Sequence, residues 1–141
     1  MTVNLKAVFL TTQAFAKAAM TAGRAGKIVN IASLLSFQGG IRVPSYTASK
    51  HGVACLTKLM ANEWAASRVN VNAIVPGYIA TKNTAALRSD TVRSAELMAR
   101  IHAGRWGGPS DIAGSAFFLA SPAADYVHGA ILNVDGGWLA R

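Results

Sequence analysis

Apolar residues recur at helical spacing from Val3 to Ala22, with Val8, Thr12, Phe15 and Ala19 on one stripe, which predicts an amphipathic helix. The run Thr21-Ala22-Gly23-Arg24-Ala25-Gly26 breaks it, its glycines permitting a turn. Lys27 to Ser33 is a short β-branched run bounded by glycine and by a loop, and reads as a strand. Pro44 and Ser45 open a second helix, in which Val53, Leu56, Met60 and Trp64 line one stripe. Arg68 to Val75 is a second strand, stopped by Pro76-Gly77. The polar, basic segment from Tyr78 to Gly108 is predicted to hold a helix around Val92 to His102. Ser110 is the expected N-cap, with Asp111 in the first turn, of a helix running through Leu119. Ala130 to Val134 forms a third strand, ending at Asp135-Gly136-Gly137.

Strands alternating with helices imply right-handed crossovers and a parallel α/β sheet. The strands are nearly continuous apolar runs, as expected where helices cover both faces. Three strands are few for a doubly wound nucleotide-binding sheet, which is built from two halves, so the pattern fits the C-terminal half of a Rossmann-type fold. The expected organisation is a single domain over residues 1–141, N-terminally truncated, with no repeat and no linker.

Composition sharpens this picture. Of the 141 residues, 52% are hydrophobic and only 14% charged, so either the core is large for the length or another chain or segment covers part of the surface. Cys55 is the one cysteine, which excludes an internal disulfide; lying in an apolar helical stretch, it is expected to be buried. His51, His102 and His128 share no ligand-like spacing, so no metal site is expected. The net charge is +8, but the basic residues are scattered rather than clustered with aromatics. That arrangement suits anionic small molecules better than nucleic acid. No apolar run approaches the length of a membrane span, and Thr11, Thr12, Gln13 and Lys17 interrupt the signal-like stretch from Leu5 to Met20. A cytoplasmic location is expected.

Tyr46 and Lys50 stand four residues apart at the start of a helix and so share a face. A free phenol ionises only near pH ~10. A cation ~4 Å away at an effective dielectric of ~20 stabilises the phenolate by roughly 4 kcal/mol, which suits general acid–base work. Such a pair is common on helix surfaces, where it is only a contact. Ser33 strengthens the case, because it lies at the carboxyl end of a strand, where ligands bind in this architecture. Its hydroxyl could hydrogen-bond a substrate carbonyl, or could satisfy its own backbone.

Asn4 in VNLKAVF, then GKIVNIASLLSFQGG, then Tyr46-Thr47-Ala48-Ser49-Lys50 resemble the short-chain dehydrogenase/reductase family. So do NVNAIVPGYIAT, Arg105-Trp106-Gly107 followed by Pro109 and Asp111, and NVDGGW, and the resemblance covers essentially the whole chain in order. It implies that Tyr46 exchanges the proton with the substrate oxygen while Lys50 assists it and binds the nicotinamide ribose. Ser33 would polarise the carbonyl, and Asn4 would hold the water of a proton relay. Pro76, Gly77, Ile79 and Thr81 would border the nicotinamide of NAD or NADP. The alternative reading of Asn4 is a helix cap, and of Pro76-Gly77 a plain strand-ending turn.

Within the family, the stretches ASLLSFQGGIRVPSYTASK, LMANEWA and DGGWLAR are similar to enzymes acting on sugar acids such as 2-deoxy-D-gluconate or 2-dehydro-3-deoxy-D-gluconate. Lys82, Arg88, Arg93, Arg100 and Arg105 are candidate partners for the carboxylate. His102 stands where that subgroup is expected to have proline. The family's glycine-rich pyrophosphate turn and the residue that selects NAD or NADP are absent, and Met1 aligns with an internal position. The implied product is a truncated oxidoreductase with an intact Ser-Tyr-Lys set, working as a homo-oligomer. The alternative is a catalytically silent fragment that only associates with itself or with related subunits. Either way, the strand from Ile28 to Ile31 would be an uncovered edge.

Overall fold

The computed structural model describes residues 1–140. Its core is a three-stranded parallel sheet in the order β1 (Gly26–Ile31), β2 (Val69–Pro76), β3 (Ile131–Val134). Ile28 lies opposite Val71, and Ala73 opposite Ile131. The helices are α1 (Val8–Thr21), α2 (Pro44–Trp64), α3 (Ala85–Ser89), α4 (Thr91–Met98) and α5 (Pro109–Ala120). The parallel α/β architecture expected from the alternating pattern is the one observed.

β2 is central, and every residue from Val69 to Val75 is buried, including the polar Asn70 and Asn72, as expected of a strand covered on both faces. On one side Ala16 and Ala19 of α1 and Met60 and Ala61 of α2 pack on Val69 and Val71. On the other, Leu119 of α5 and Ala124 pack on Ile74. A third cluster gathers Ala32, Leu34, Val53, Val75, Ile101 and Trp138 near the carboxyl ends of the strands.

The polar side chains of the buried residues Thr12, Asn30, Ser36, Ser49, Thr57, Asn70 and Asn72 are hydrogen-bonded, as interiors require, whereas the buried Thr47 hydroxyl makes no hydrogen bond among the described residues. Asn30 of β1 donates to the Thr57 hydroxyl on α2 (3.0 Å) and accepts from Thr12 on α1 (3.4 Å), which ties both helices to the strand. Asn72 accepts from the Ala130 amide and donates to the Val127 carbonyl, both at 2.9 Å, and so fixes the entry to β3.

Several local expectations need correction. On α1 the buried positions are Thr12, Ala16 and Ala19, whereas Phe15 is half exposed. Its ring covers Gly26, where a Cβ would come within 2.9 Å of it. Cys55 is exposed, because α2 is apolar on more than one face and the buried stripe runs through Val53, Thr57 and Met60. The cap of α5 is Gly108 rather than Ser110. Pro109 occupies the first turn, and the Asp111 carboxylate accepts from the Gly108 amide (2.7 Å). The helix expected around Val92 to His102 stops at Met98, because Ile101 leaves the helical path to enter the core at 5% exposure. Ala103 then donates to the Gly136 carbonyl (2.9 Å).

Candidate active site

The site assembles where β1 and β2 end. Before α1 the chain makes a wide π-type turn over Thr2–Ala7, in which the amides of Leu5 and Lys6 both reach the Met1 carbonyl. This turn packs against α2 through Leu5, whose methyl would lie 2.8 Å from a Cβ at Gly52. Asn4 is therefore carried beside the helix that bears Tyr46 and Lys50, inside the turn rather than at a cap.

α2 starts abruptly because Arg42 takes a left-handed conformation (φ 63°) and Pro44 then occupies the first helical turn. Tyr46 sits in that turn at 39% exposure, open to solvent. The Lys50 ammonium lies 5.7 Å from its ring centroid and donates to the Ile31 carbonyl at the end of β1 (2.7 Å). The hydrogen bond of the amine thus goes to the strand. Partial burial lowers the Lys50 pKa from its ordinary value by desolvation.

Ser33 follows β1 and caps a single 3-10 turn, Leu34–Ser36. Its hydroxyl accepts from the Leu35 amide (3.2 Å), so the backbone-satisfying role is real. The hydroxyl proton remains available to donate. The Ser36 hydroxyl accepts from the Ser33 amide (3.3 Å) and donates to the Lys50 carbonyl (2.7 Å).

Pro76 ends β2, and Gly77 follows against β3, where a Cβ would stand 2.6 Å from the Asp135 Cα. Only glycine fits that approach. Ile79 bridges to Gly107, with Ala80 donating to the Gly107 carbonyl (2.8 Å). Thr81 closes the turn, its amide donating to the Thr84 hydroxyl, which in turn donates to the Ile79 carbonyl (2.7 Å). The Pro76–Thr81 segment thus forms a braced ledge beyond the sheet.

A cleft of about 710 Å³ opens beside this ledge, between the loop after Ser33 and α4. Leu35, Gln38 and Val43 form one wall, and Asp90, Arg93, Glu96 and Arg100 the other. Tyr78 and Trp138 form its floor, their rings 4.7 Å apart. Tyr78 also meets Trp106 edge to face at 5.6 Å. Burial raises the Tyr78 pKa, and the positive Arg100 and Arg93 work against that rise. The Arg100 guanidinium lies 4.0 Å above the Trp138 ring, whose Nε1 donates to Gln38 Oε1 (3.0 Å).

Of the five basic candidates, Arg93 and Arg100 line the cleft. Arg105 forms a two-pronged ion pair with Asp111 (2.7 and 2.8 Å), and Arg88 donates to the Thr81 carbonyl (3.2 Å). Lys82 is exposed and outside the lining. His102 places Nδ1 3.0 Å from the Gly137 carbonyl, a contact that proline could not make. The Asp135-Gly136-Gly137 turn is held by the Asp135 carboxylate, which accepts from the Gly137 and Leu139 amides (2.9 Å each). Ser36, Gln38, Tyr78 and Trp138 were not singled out from the sequence. All four lie within motifs quoted for the resemblance, GKIVNIASLLSFQGG, NVNAIVPGYIAT and NVDGGW, but nothing in those motifs said that they would meet.

The family description that matches residues 1–139 is enoyl-(acyl carrier protein) reductase. The 2-dehydro-3-deoxy-D-gluconate 5-dehydrogenase of Escherichia coli strain K12 is 64% identical over 141 residues, all of this chain and 56% of that relative. The Bacillus subtilis strain 168 protein of the same name is 61% identical over 99% of this chain and 54% of its own length. The chain therefore spans about half the length of these curated relatives. A solved Agrobacterium tumefaciens structure, a candidate 2-deoxy-D-gluconate 3-dehydrogenase with bound NADP, is 74% identical with a TM-score of 0.99. It covers all of this chain, which spans 57% of it. A gluconate 5-dehydrogenase from Burkholderia cenocepacia J2315, in complex with NADP and tartrate, is 41% identical with a TM-score of 0.96 over 100% of this chain and 55% of that one.

Proposed function

The chain belongs to the short-chain dehydrogenase/reductase family, and on that premise we propose that it supplies the Ser-Tyr-Lys site and substrate cleft of a sugar-acid oxidoreductase. The reaction interconverts a hydroxyl and a ketone on a substrate such as 2-dehydro-3-deoxy-D-gluconate, with NAD or NADP. The observation that supports this reading is that Lys50, one helical turn after Tyr46, reaches the end of β1 just before Ser33, while Leu35 and Val43, which flank these residues in the chain, line a cleft that also holds Arg93 and Arg100.

The residues present fit the nicotinamide half of such a cofactor. The Lys50 ammonium faces a main-chain carbonyl and can exchange it for a sugar hydroxyl. The Pro76, Gly77, Ile79 and Thr81 ledge offers a backbone edge beside the cleft. When bound, the nicotinamide supplies the hydride acceptor or donor. Ser33 donates its hydroxyl proton to the substrate oxygen, since its lone pair is already engaged by Leu35. Tyr46 moves a proton to or from that oxygen, with the Lys50 ammonium 5.7 Å from its ring centroid. Asn4, carried beside α2 by the π-type turn, is the residue we assign to a relay water. Arg93 and Arg100 receive the carboxylate.

Titration of the purified protein with NADPH and NADH, followed by cofactor fluorescence and then by turnover of 2-dehydro-3-deoxy-D-gluconate, tests the reading. Saturable binding, with turnover abolished by Tyr46→Phe, is expected. No binding at millimolar cofactor and no turnover would refute it.

A further inference from the structure

We propose that Ser36 is a positioning residue that sets the distance between Ser33 and the helical turn carrying Tyr46 and Lys50. The inference rests on the functional reading above. Ser36 is 6% exposed and touches no cleft. Its single hydroxyl nevertheless joins the backbones of two residues of the site. It accepts from the Ser33 amide (3.3 Å) and donates to the Lys50 carbonyl (2.7 Å), fourteen residues further on.

The bridge does more than fill a turn. Turn formation needs only the local bonds: Leu35 to the Ser33 hydroxyl (3.2 Å), and Phe37 and Gln38 to the Leu34 carbonyl (3.0 and 3.1 Å). The bond to Lys50 leaves the turn and reaches into α2, where the helix already has its own ladder. An oxygen that both donates and accepts has its proton committed to one partner and a lone pair to the other, so neither bond shortens or rotates alone. Ser33 is extended (φ −163°), and among the described residues its amide hydrogen-bonds to the Ser36 hydroxyl alone. Lys50 in turn spends its ammonium on Ile31, the last residue of β1 and two residues before Ser33. Strand end and helix start are thus tied twice, once at a side chain and once through Ser36.

Removing the hydroxyl opens one of the two ties while leaving Ser33, Tyr46 and Lys50 chemically intact. A displacement of about 1 Å between reacting groups can cost on the order of 100-fold in rate. Ser36→Ala is therefore expected to lower kcat about tenfold or more, with KM moving less than about threefold. Ser36→Thr, which keeps the hydroxyl, should recover most of the rate. Two kinetic results would overturn the proposal: Ser36→Ala within about twofold of the parent kcat, or Ser36→Thr as slow as Ser36→Ala. Amide hydrogen exchange on the same proteins reads the geometry without any turnover. Ser36→Ala should speed exchange at Ser33 and Leu35 about tenfold while Val53 and Met60 on α2 keep their protection. Unchanged exchange at Ser33 overturns the positioning role even if the enzyme works. Selective acceleration in a protein without turnover upholds that role and sinks only the assigned reaction.

Discussion

Trp138 offers the sharpest test of how the cleft is held. Its indole is 4% exposed although it lies near the end of the described chain, where ends normally fray. Three contacts hold it: the Tyr78 ring at 4.7 Å, the Arg100 guanidinium at 4.0 Å, and the hydrogen bond to Gln38 at 3.0 Å. Trp138→Ala removes all three along with the buried ring, and such truncations cost about 3–5 kcal/mol. Trp138→Phe keeps a ring against Tyr78 but loses the donor. Gln38 is only partly buried and water can replace the indole, so this loss is about 0.5–1.5 kcal/mol. Urea unfolding followed by circular dichroism, at one pH and salt, gives both numbers. A cycle with Gln38→Ala should show a coupling of about 1 kcal/mol, and the double variant should cost less than the sum. If Trp138→Phe loses as much as Trp138→Ala, the hydrogen bond and not the buried ring anchors the floor. If the cycle is additive, the Gln38 contact contributes nothing, and the reasoning fails.

Three further outcomes follow from named contacts. Asp111 accepts from Arg105 and from the Gly108 amide, and chiefly the Arg105 bond holds its carboxyl well below the usual range. The stability this depressed value contributes is fully present above the ordinary carboxylate pKa of ~4 and is lost as pH falls below it and through the folded value. The urea midpoint of the parent should therefore exceed that of Asp111→Asn at pH 7 and converge with it in strong acid; a gap independent of pH would contradict the pair. Gly77→Ala places a methyl against the Asp135 backbone, whose nearest atom is 2.6 Å away, and should destabilise by about 1–3 kcal/mol or more. An unchanged melting temperature would show that the β2–β3 turn yields. Finally, β1 pairs only with β2, and Ile31, Phe117 and Tyr126 are 49%, 78% and 100% exposed. The protein should sediment as a dimer or larger, through its apolar faces, and a 14.7 kDa species at all concentrations would count against this.

The three strands were legible because each is a compact β-branched run bracketed by glycine or proline, and the parallel sheet followed from the helices between them. Ser33, Tyr46 and Lys50 were legible as a motif, and the structure brings their elements together. What the sequence hid depends on which of several equivalent choices folding makes. Cys55 and Leu59 extend an apolar stripe that periodicity alone cannot distinguish from the buried one through Val53 and Met60. Ser110 is a better cap by type than Gly108, yet the Asp111 carboxylate closes the turn one step earlier around Pro109. The spacing of Tyr46 and Lys50 says they share a face, but not that a strand carbonyl will claim the ammonium. Gln38 and Trp138 meet across 100 residues, and no local pattern reports such a pair.

That same separation sets an order in time. Synthesis proceeds at about 5–20 residues per second, so Trp138 leaves the ribosome roughly 5–20 s after Gln38. Throughout that interval Gln38 lacks its indole partner, and strand β3 is still to come. The nascent chain therefore carries Ser33, Tyr46 and Lys50 well before Trp138 arrives to complete the cleft between the loop after Ser33 and α4.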